Sequence, residues 1–140
     1  MQDEFLECFE NARVSIANNE YDDAYQSLKK SLDVYTNKPD EAKRSVLEDV
    51  LNLAGQIALM NKDLVVAKSY FEQELNLNPA SSGACYGLGE VFFALEEYSS
   101  AKTMLEWSVK NAPENQYALE ALGKVNLLLG NEAQHNSLNS

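Results

Sequence analysis

Residues 51–123 read LNLAGQIALMNKDLVVAKSYFEQELNLNPASSGACYGLGEVFFALEEYSSAKTMLEWSVKNAPENQYALEALG, and a single interval runs through them. Gly55, Gly89 and Gly123 stand 34 residues apart, each behind an apolar residue, Ala54, Leu88 and Leu122. The same interval joins Leu51, Cys85 and Leu119, then Ala67 and Ala101, Phe71 and Leu105, Leu75 and Val109, and Pro79 and Pro113. So many chemically matched residues at one spacing mark an internal repeat, each copy one supersecondary unit that packs on the next.

Within each copy the apolar residues fall on one helical stripe, Ala67, Phe71 and Leu75 and then Ala101, Leu105 and Val109, and upstream Ala24, Leu28 and Leu32 repeat the pattern. Asn18-Asn19-Glu20, Asn61-Lys62-Asp63 and Glu96-Glu97 are polar turns, and Pro79 and Pro113 lie where second helices have already ended. A glycine inside a helix costs about 1 kcal/mol, so Gly55, Gly89 and Gly123 are expected where helices cross closely. The pattern predicts seven helices with connections near Asn18 to Tyr21, Asn37 to Asp40, Asn61 to Asp63, Asn78 to Ser82, Glu96 to Ser99 and Asn111 to Glu114.

Working outward, Ala24 corresponds to Ala67 at an interval of 43, so nine residues are added around Thr36 to Asp40. Pro39 suits a first helical turn, and the addition is expected to lengthen the helix beginning near Asp40. Beyond Pro113 one helix follows, carrying Tyr117, Leu119, Leu122, Val125 and Leu127 to Leu129, and it is expected to end at Gly130 before a polar, disordered tail, 131–140.

From Leu51 to Pro113 the chain resembles the tetratricopeptide repeat: Leu88, Gly89, Phe92, Tyr98, Ala101 and Pro113 occupy the positions of its leucine, small residue, aromatic, tyrosine, alanine and closing proline. The first unit matches more loosely, through Ala12, Tyr21 and Ala24, with Asn11 and Ser15 in place of apolar residues. The resemblance implies an all-α fold, a right-handed superhelical stack of helix-turn-helix hairpins. Units of about 5–38, 48–81 and 82–115 and a closing helix, 114–129, would form one domain over 1–130.

It also implies that the first helices of successive units line a groove for a peptide or protein segment. Carried onto this chain, that surface comprises Phe9, Arg13 and Ile16, Asn52, Gln56 and Leu59, Tyr86, Glu90 and Phe93, and Glu120, Lys124 and Leu127. One subclass of the family grips the C-terminal carboxylate of heat-shock chaperones with two lysines, two asparagines and an arginine. Phe9, Arg13, Leu53, Gly83 and Gly87 stand at those positions here, so that clamp is missing and a segment with apolar side chains and a basic residue for Glu90 or Glu120 is the expected partner.

Twenty-two acidic against eleven basic residues give a formal net charge of −11, which disfavours nucleic acid and anionic membranes as partners. No basic leader precedes an apolar run at the N-terminus, and no stretch is apolar enough to span a membrane, so a cytoplasmic protein is expected. Catalysis is not expected. His135, the single histidine, lies in the tail, Cys8 and Cys85 lack metal-ligand spacing and read as buried apolar residues, and the G-x-G of Gly87 to Gly89 falls inside a helix. No cofactor or metal is therefore implied. Trp107 is expected to be partly buried between helices. Consecutive Leu127, Leu128 and Leu129 cannot all face inward, and a two-fold dimer through Leu128 and Leu129 would cover the remainder. An adaptor or scaffold is the favoured function. The alternatives are a small acidic chaperone of a secreted or assembling client, similar in size and charge to type III secretion chaperones, and a self-associating scaffold.

Overall fold

Three turns of one kind fold the chain back on itself. At Asn19, Lys62 and Glu96 the backbone enters the left-handed region, with φ of 60°, 61° and 59°. In each case the next amide reaches five residues back: Glu20 to the Ser15 carbonyl (2.8 Å), Asp63 to Ala58 (2.9 Å) and Glu97 to Phe92 (2.9 Å). These are Schellman motifs, which satisfy the last carbonyls of one helix while starting the next. A computed structural model describes residues 3–138, and among these the elements are α1 (Glu4–Ala17), α2 (Tyr21–Asn37), a 3-10 turn (Glu41–Lys43), α3 (Arg44–Met60), α4 (Leu64–Leu77), α5 (Ser82–Ala94), α6 (Tyr98–Asn111) and α7 (Gln116–Leu138). The fold is all-α, a stack of helical hairpins, and the expected connections fall where the sequence placed them.

The first helices start on side-chain caps. Asp3 Oδ1 accepts from the Leu6 amide (3.1 Å), Ser81 Oγ from Ala84 (3.0 Å) and Asn115 Oδ1 from Tyr117 (3.0 Å), while Asp40 Oδ1 caps the 3-10 turn before α3 through Ala42 (3.0 Å). The nine added residues are shared out rather than given to one helix. α2 runs three residues further past Ala24 than α4 and α6 run past Ala67 and Ala101, α3 begins four residues earlier relative to Gly55 than α5 does relative to Gly89, and two more residues lie in the connection. Pro39 accordingly precedes the helix instead of opening it.

The helices fall into two compact units, one ending at Leu77 and the other beginning at Asn78. In the first, the hairpins α1–α2 and α3–α4 pack through α2 on α3 around Phe5, Ala12, Ala24, Leu28, Val50, Leu51, Ala54 and Ile57. In the second, α5–α6 form a hairpin and α7 packs chiefly on α6, with Ala101, Leu105 and Val125 buried together.

The α3–α4 and α5–α6 hairpins each close on a glycine. A Cβ at Gly55 would lie 2.7 Å from the Phe71 ring, and one at Gly89 2.6 Å from Leu105 Cδ2, while Phe71 and Leu105 are themselves buried. A buried polar group also recurs seven residues after each repeat alanine. Ser31 Oγ donates to the Phe5 carbonyl (3.0 Å), Glu74 Oε1 accepts from Asn52 Nδ2 (2.9 Å), and Ser108 Oγ donates to the Ser82 carbonyl (3.0 Å). Each bond ties a second helix to the first helix of its own hairpin.

Four expectations need correction. Gly123 has no atom within 4 Å of where a Cβ would stand, because no following helix among the described residues crosses α7 there. For the same reason Leu119 is 45% exposed, although its equivalents Leu51 and Cys85 are buried. Trp107 is exposed, with Lys110 Nζ 4.9 Å from its ring; its equivalents, Lys30 and Gln73, are exposed too, so this edge of a second helix faces outward. Finally, α7 does not stop at Gly130 but runs to Leu138, so residues 131–138 of the expected disordered tail are helical, and 139–140 lie outside the described residues. One glycine without a proline or a polar cap behind it is too weak a break.

The three glycines therefore differ in consequence. Gly55→Ala and Gly89→Ala should each lower unfolding free energy by about 1 to 3 kcal/mol through overpacking, whereas Gly123→Ala should raise it by up to about 1 kcal/mol through helix propensity. Chemical denaturation of the three variants measures this, and a similar change in all three would contradict the crossing geometry.

Candidate functional site

In the second unit the capped starts of α5 and α7 bring two first helices together. Cys85, Leu88, Gly89 and Val91 of α5 are buried, and Tyr86, Glu90 and Phe93, spaced four and three apart, share a flanking face from which Tyr86 and Phe93 still pack partly on the Ala101–Leu105–Val125 cluster. Together with Tyr117, Glu120, Ala121 and Lys124 of α7 they line a cleft of about 220 Å³. Five of the six residues expected in this half of the surface are thus gathered. The sixth, Leu127, stands outside the cleft and is 66% exposed. Tyr117, which is outside the expected groove set, also lines the cleft and is largely exposed. Its position three residues before Glu120 is the signal that could have found it.

The cleft has its own electrostatics. Phe93 rests against Tyr98, ring centroids 5.7 Å apart, which fixes one wall. Burial raises the Glu90 carboxyl above the ordinary carboxylate range, and the Lys124 ammonium pulls it part of the way back. The Tyr86 phenol is raised too, first by burial and then by the charges of Glu90 and Glu120 and the neighbouring Tyr117. Glu120 and Lys124 are exposed and Glu90 is partly buried, and among the described residues Glu90 forms neither an ion pair nor a hydrogen bond.

In the first unit the expected residues divide between structure and surface. Phe9 and Ile16 pack partly buried against the core, and the Arg13 guanidinium lies 5.8 Å from the Phe9 ring centroid and 3.5 Å from Glu10. On α3, Gln56 donates to Asn52, and Asn52 donates to buried Glu74, so both amides are engaged in holding α4, with Leu59 partly buried beside them. Leu128 and Leu129, the expected self-association pair, are both partly buried, and Leu129 packs on the Ala101–Leu105–Val125 cluster. The leucine left outward is Leu127. Among the described residues no three metal-ligating side chains come together, and no described helix is long and apolar enough to cross a membrane. Cys8 and Cys85 are buried thiols, and burial raises the Cys8 pKa.

No family model matches the chain, and no curated protein is similar to it in sequence. Solved structures are similar in fold. The first tetratricopeptide domain of Spaghetti (RPAP3), solved bound to the HSP90 peptide SRMEEVD, superposes with a TM-score of 0.78 at 21% identity, over 91% of this chain and 94% of that one. The C-terminal tetratricopeptide-containing domain of a putative FK506-binding protein from Plasmodium falciparum gives 0.84 at 18% identity, over 94% and 91%. The Sgt2 tetratricopeptide domain from Aspergillus fumigatus gives 0.79 at 15%, over 95% and 83%. The chain therefore has the tetratricopeptide-repeat fold.

A carboxyl whose folded-state pKa is raised binds its proton more tightly folded than unfolded, so its ionisation opposes folding at neutral pH and the penalty is relieved as pH falls through the raised pKa. Glu90→Gln should therefore raise the melting temperature near neutral pH, with a gain that shrinks on acidification, and Lys124→Met should push the Glu90 titration further up. Melting curves and carboxyl chemical shifts across pH measure both, and a Glu90 that titrates with the exposed glutamates would contradict the assigned environment.

Proposed function

We propose that the chain is a non-catalytic interaction module that holds a polypeptide segment against the first helices of its hairpins and serves as an adaptor or scaffold in the cytoplasm. The observation that carries this reading is the α5–α7 cleft, where a half-buried, unpaired carboxylate sits among aromatic side chains at the stability penalty just described. A folded domain keeps such a group exposed to ligand when binding offsets the penalty. The peptide bound by the Spaghetti domain supports the same class of activity on this fold. An acidic peptide of that kind suits this chain poorly, because the clamp positions hold Phe9, Leu53, Gly83 and Gly87 beside a single basic residue, Arg13, already paired with Glu10.

Peptides selected from a random display library should shift amide resonances around Tyr86, Glu90, Phe93, Glu120 and Lys124 in one unit, and around Phe9, Arg13, Ile16 and Leu59 in the other. Shifts concentrated on α2, α4 and α6, or a library without a saturable binder, would remove the support for this reading.

A second reading, self-association along α7, is favoured by the stripe of Leu119, Gly123 and Leu127, which is open along its length. Here Leu127→Glu should lower the molar mass of the native chain in solution, and a native chain that is monomeric at high micromolar concentration would rule the dimer out.

A further inference from the structure

We infer that the cleft between α5 and α7 takes the cationic head of an arginine or lysine side chain presented by the bound segment, an inference that rests on the peptide-binding reading and specifies its partner. Three aromatic side chains, Tyr86, Phe93 and Tyr117, line the cleft with two carboxylates, Glu90 and Glu120, and a single ammonium, Lys124. Aromatic faces and carboxylates attract the same kind of ligand, a delocalised or alkylated cation with an apolar stem. An anion would meet two like charges and the negative faces of the rings.

The partners already present do not use up this capacity. Glu74, the other poorly exposed glutamate, is held by Asn52, whereas Glu90 makes no hydrogen bond or ion pair among the described residues. Lys124 weakens the field at Glu90 without closing on it, and its exposed side chain is free to swing outward as a second cation enters. Desolvation strengthens what remains, since a partly buried carboxylate gains more from an incoming cation than a fully hydrated one. The formal charge of −11 steers basic segments toward the chain. A guanidinium fits best, because its planar fork meets a carboxylate while its face stacks on an aromatic ring.

The test titrates the native chain with N-acetyl-arginine methylamide, its lysine counterpart and its uncharged norleucine counterpart, following amide chemical shifts. The arginine and lysine probes should saturate shifts at Tyr86, Glu90 and Glu120, with the norleucine probe weaker by about tenfold or more. Glu90→Gln combined with Glu120→Gln should weaken the cationic probes by about tenfold, and Lys124→Met, which removes the competing ammonium, should tighten them. Equal binding of the norleucine probe, shifts elsewhere, or indifference to both carboxylates and to Lys124 would overturn the inference. The two readings separate cleanly. Cationic probes that bind here while no library peptide does would leave the cation site standing and remove the module reading, and library peptides that map to the cleft without a basic residue would do the reverse.

Discussion

The close crossing of the two helices in a hairpin is the constraint on which the rest of this structure depends. Gly55 lies under Phe71 and Gly89 under Leu105, at separations that leave no room for a methyl group. Because the helices approach on that side, the cross-hairpin bonds of Ser31, Glu74 and Ser108 come within reach of the facing helix. A flanking side of each first helix is then left to meet something else. On α5 that side carries Tyr86, Glu90 and Phe93. Tyr86 and Phe93, three before and four after Gly89, flank the crossing, and Glu90, next to it, is turned about 100° away.

Two glutamates show how the same side chain serves structure and site. Glu74 is almost wholly buried, and Asn52, itself steadied by Gln56, supplies the hydrogen bond that makes its burial tolerable. Glu90 is partly buried and makes no hydrogen bond or ion pair among the described residues, and burial raises its pKa. A carboxylate left in that condition beside aromatic rings is poised to gain from a cation arriving from outside. Both Asn52 and Glu90 fall on the expected groove face, although the 34-residue interval pairs Asn52 with Tyr86 and Gln56 with Glu90. The neighbouring helix tells them apart, because α4 offers Asn52 a carboxylate and α7 offers Glu90 an ammonium.

Much of the fold was legible in the 34-residue interval, since matched glycines, alanines and prolines define hairpins whatever surrounds them. The polar turns also read correctly, although the left-handed backbone at Lys62 and Glu96 carried no glycine to announce it. What escaped depended on neighbours. Leu119 and Gly123 repeat the residues of earlier crossings, yet the helix that would bury them is absent among the described residues. The buried polar groups at Ser31, Glu74 and Ser108 share the register of the repeat but differ in chemistry, so a search for matched apolar residues passes over them. In the candidate site the α5 and α7 residues were placed by the family resemblance, and Tyr117 lay outside the residues it carried over.

The hairpin crossing is tested most directly by a double-mutant cycle between Gly89→Ala and Leu105→Ala, measured by chemical denaturation. If the added methyl group and the leucine compete for one space, Gly89→Ala is destabilising beside Leu105 and neutral or stabilising beside alanine, a coupling of about 1 to 3 kcal/mol. The same penalty for Gly89→Ala in both backgrounds would contradict the crossing on which this structure is built.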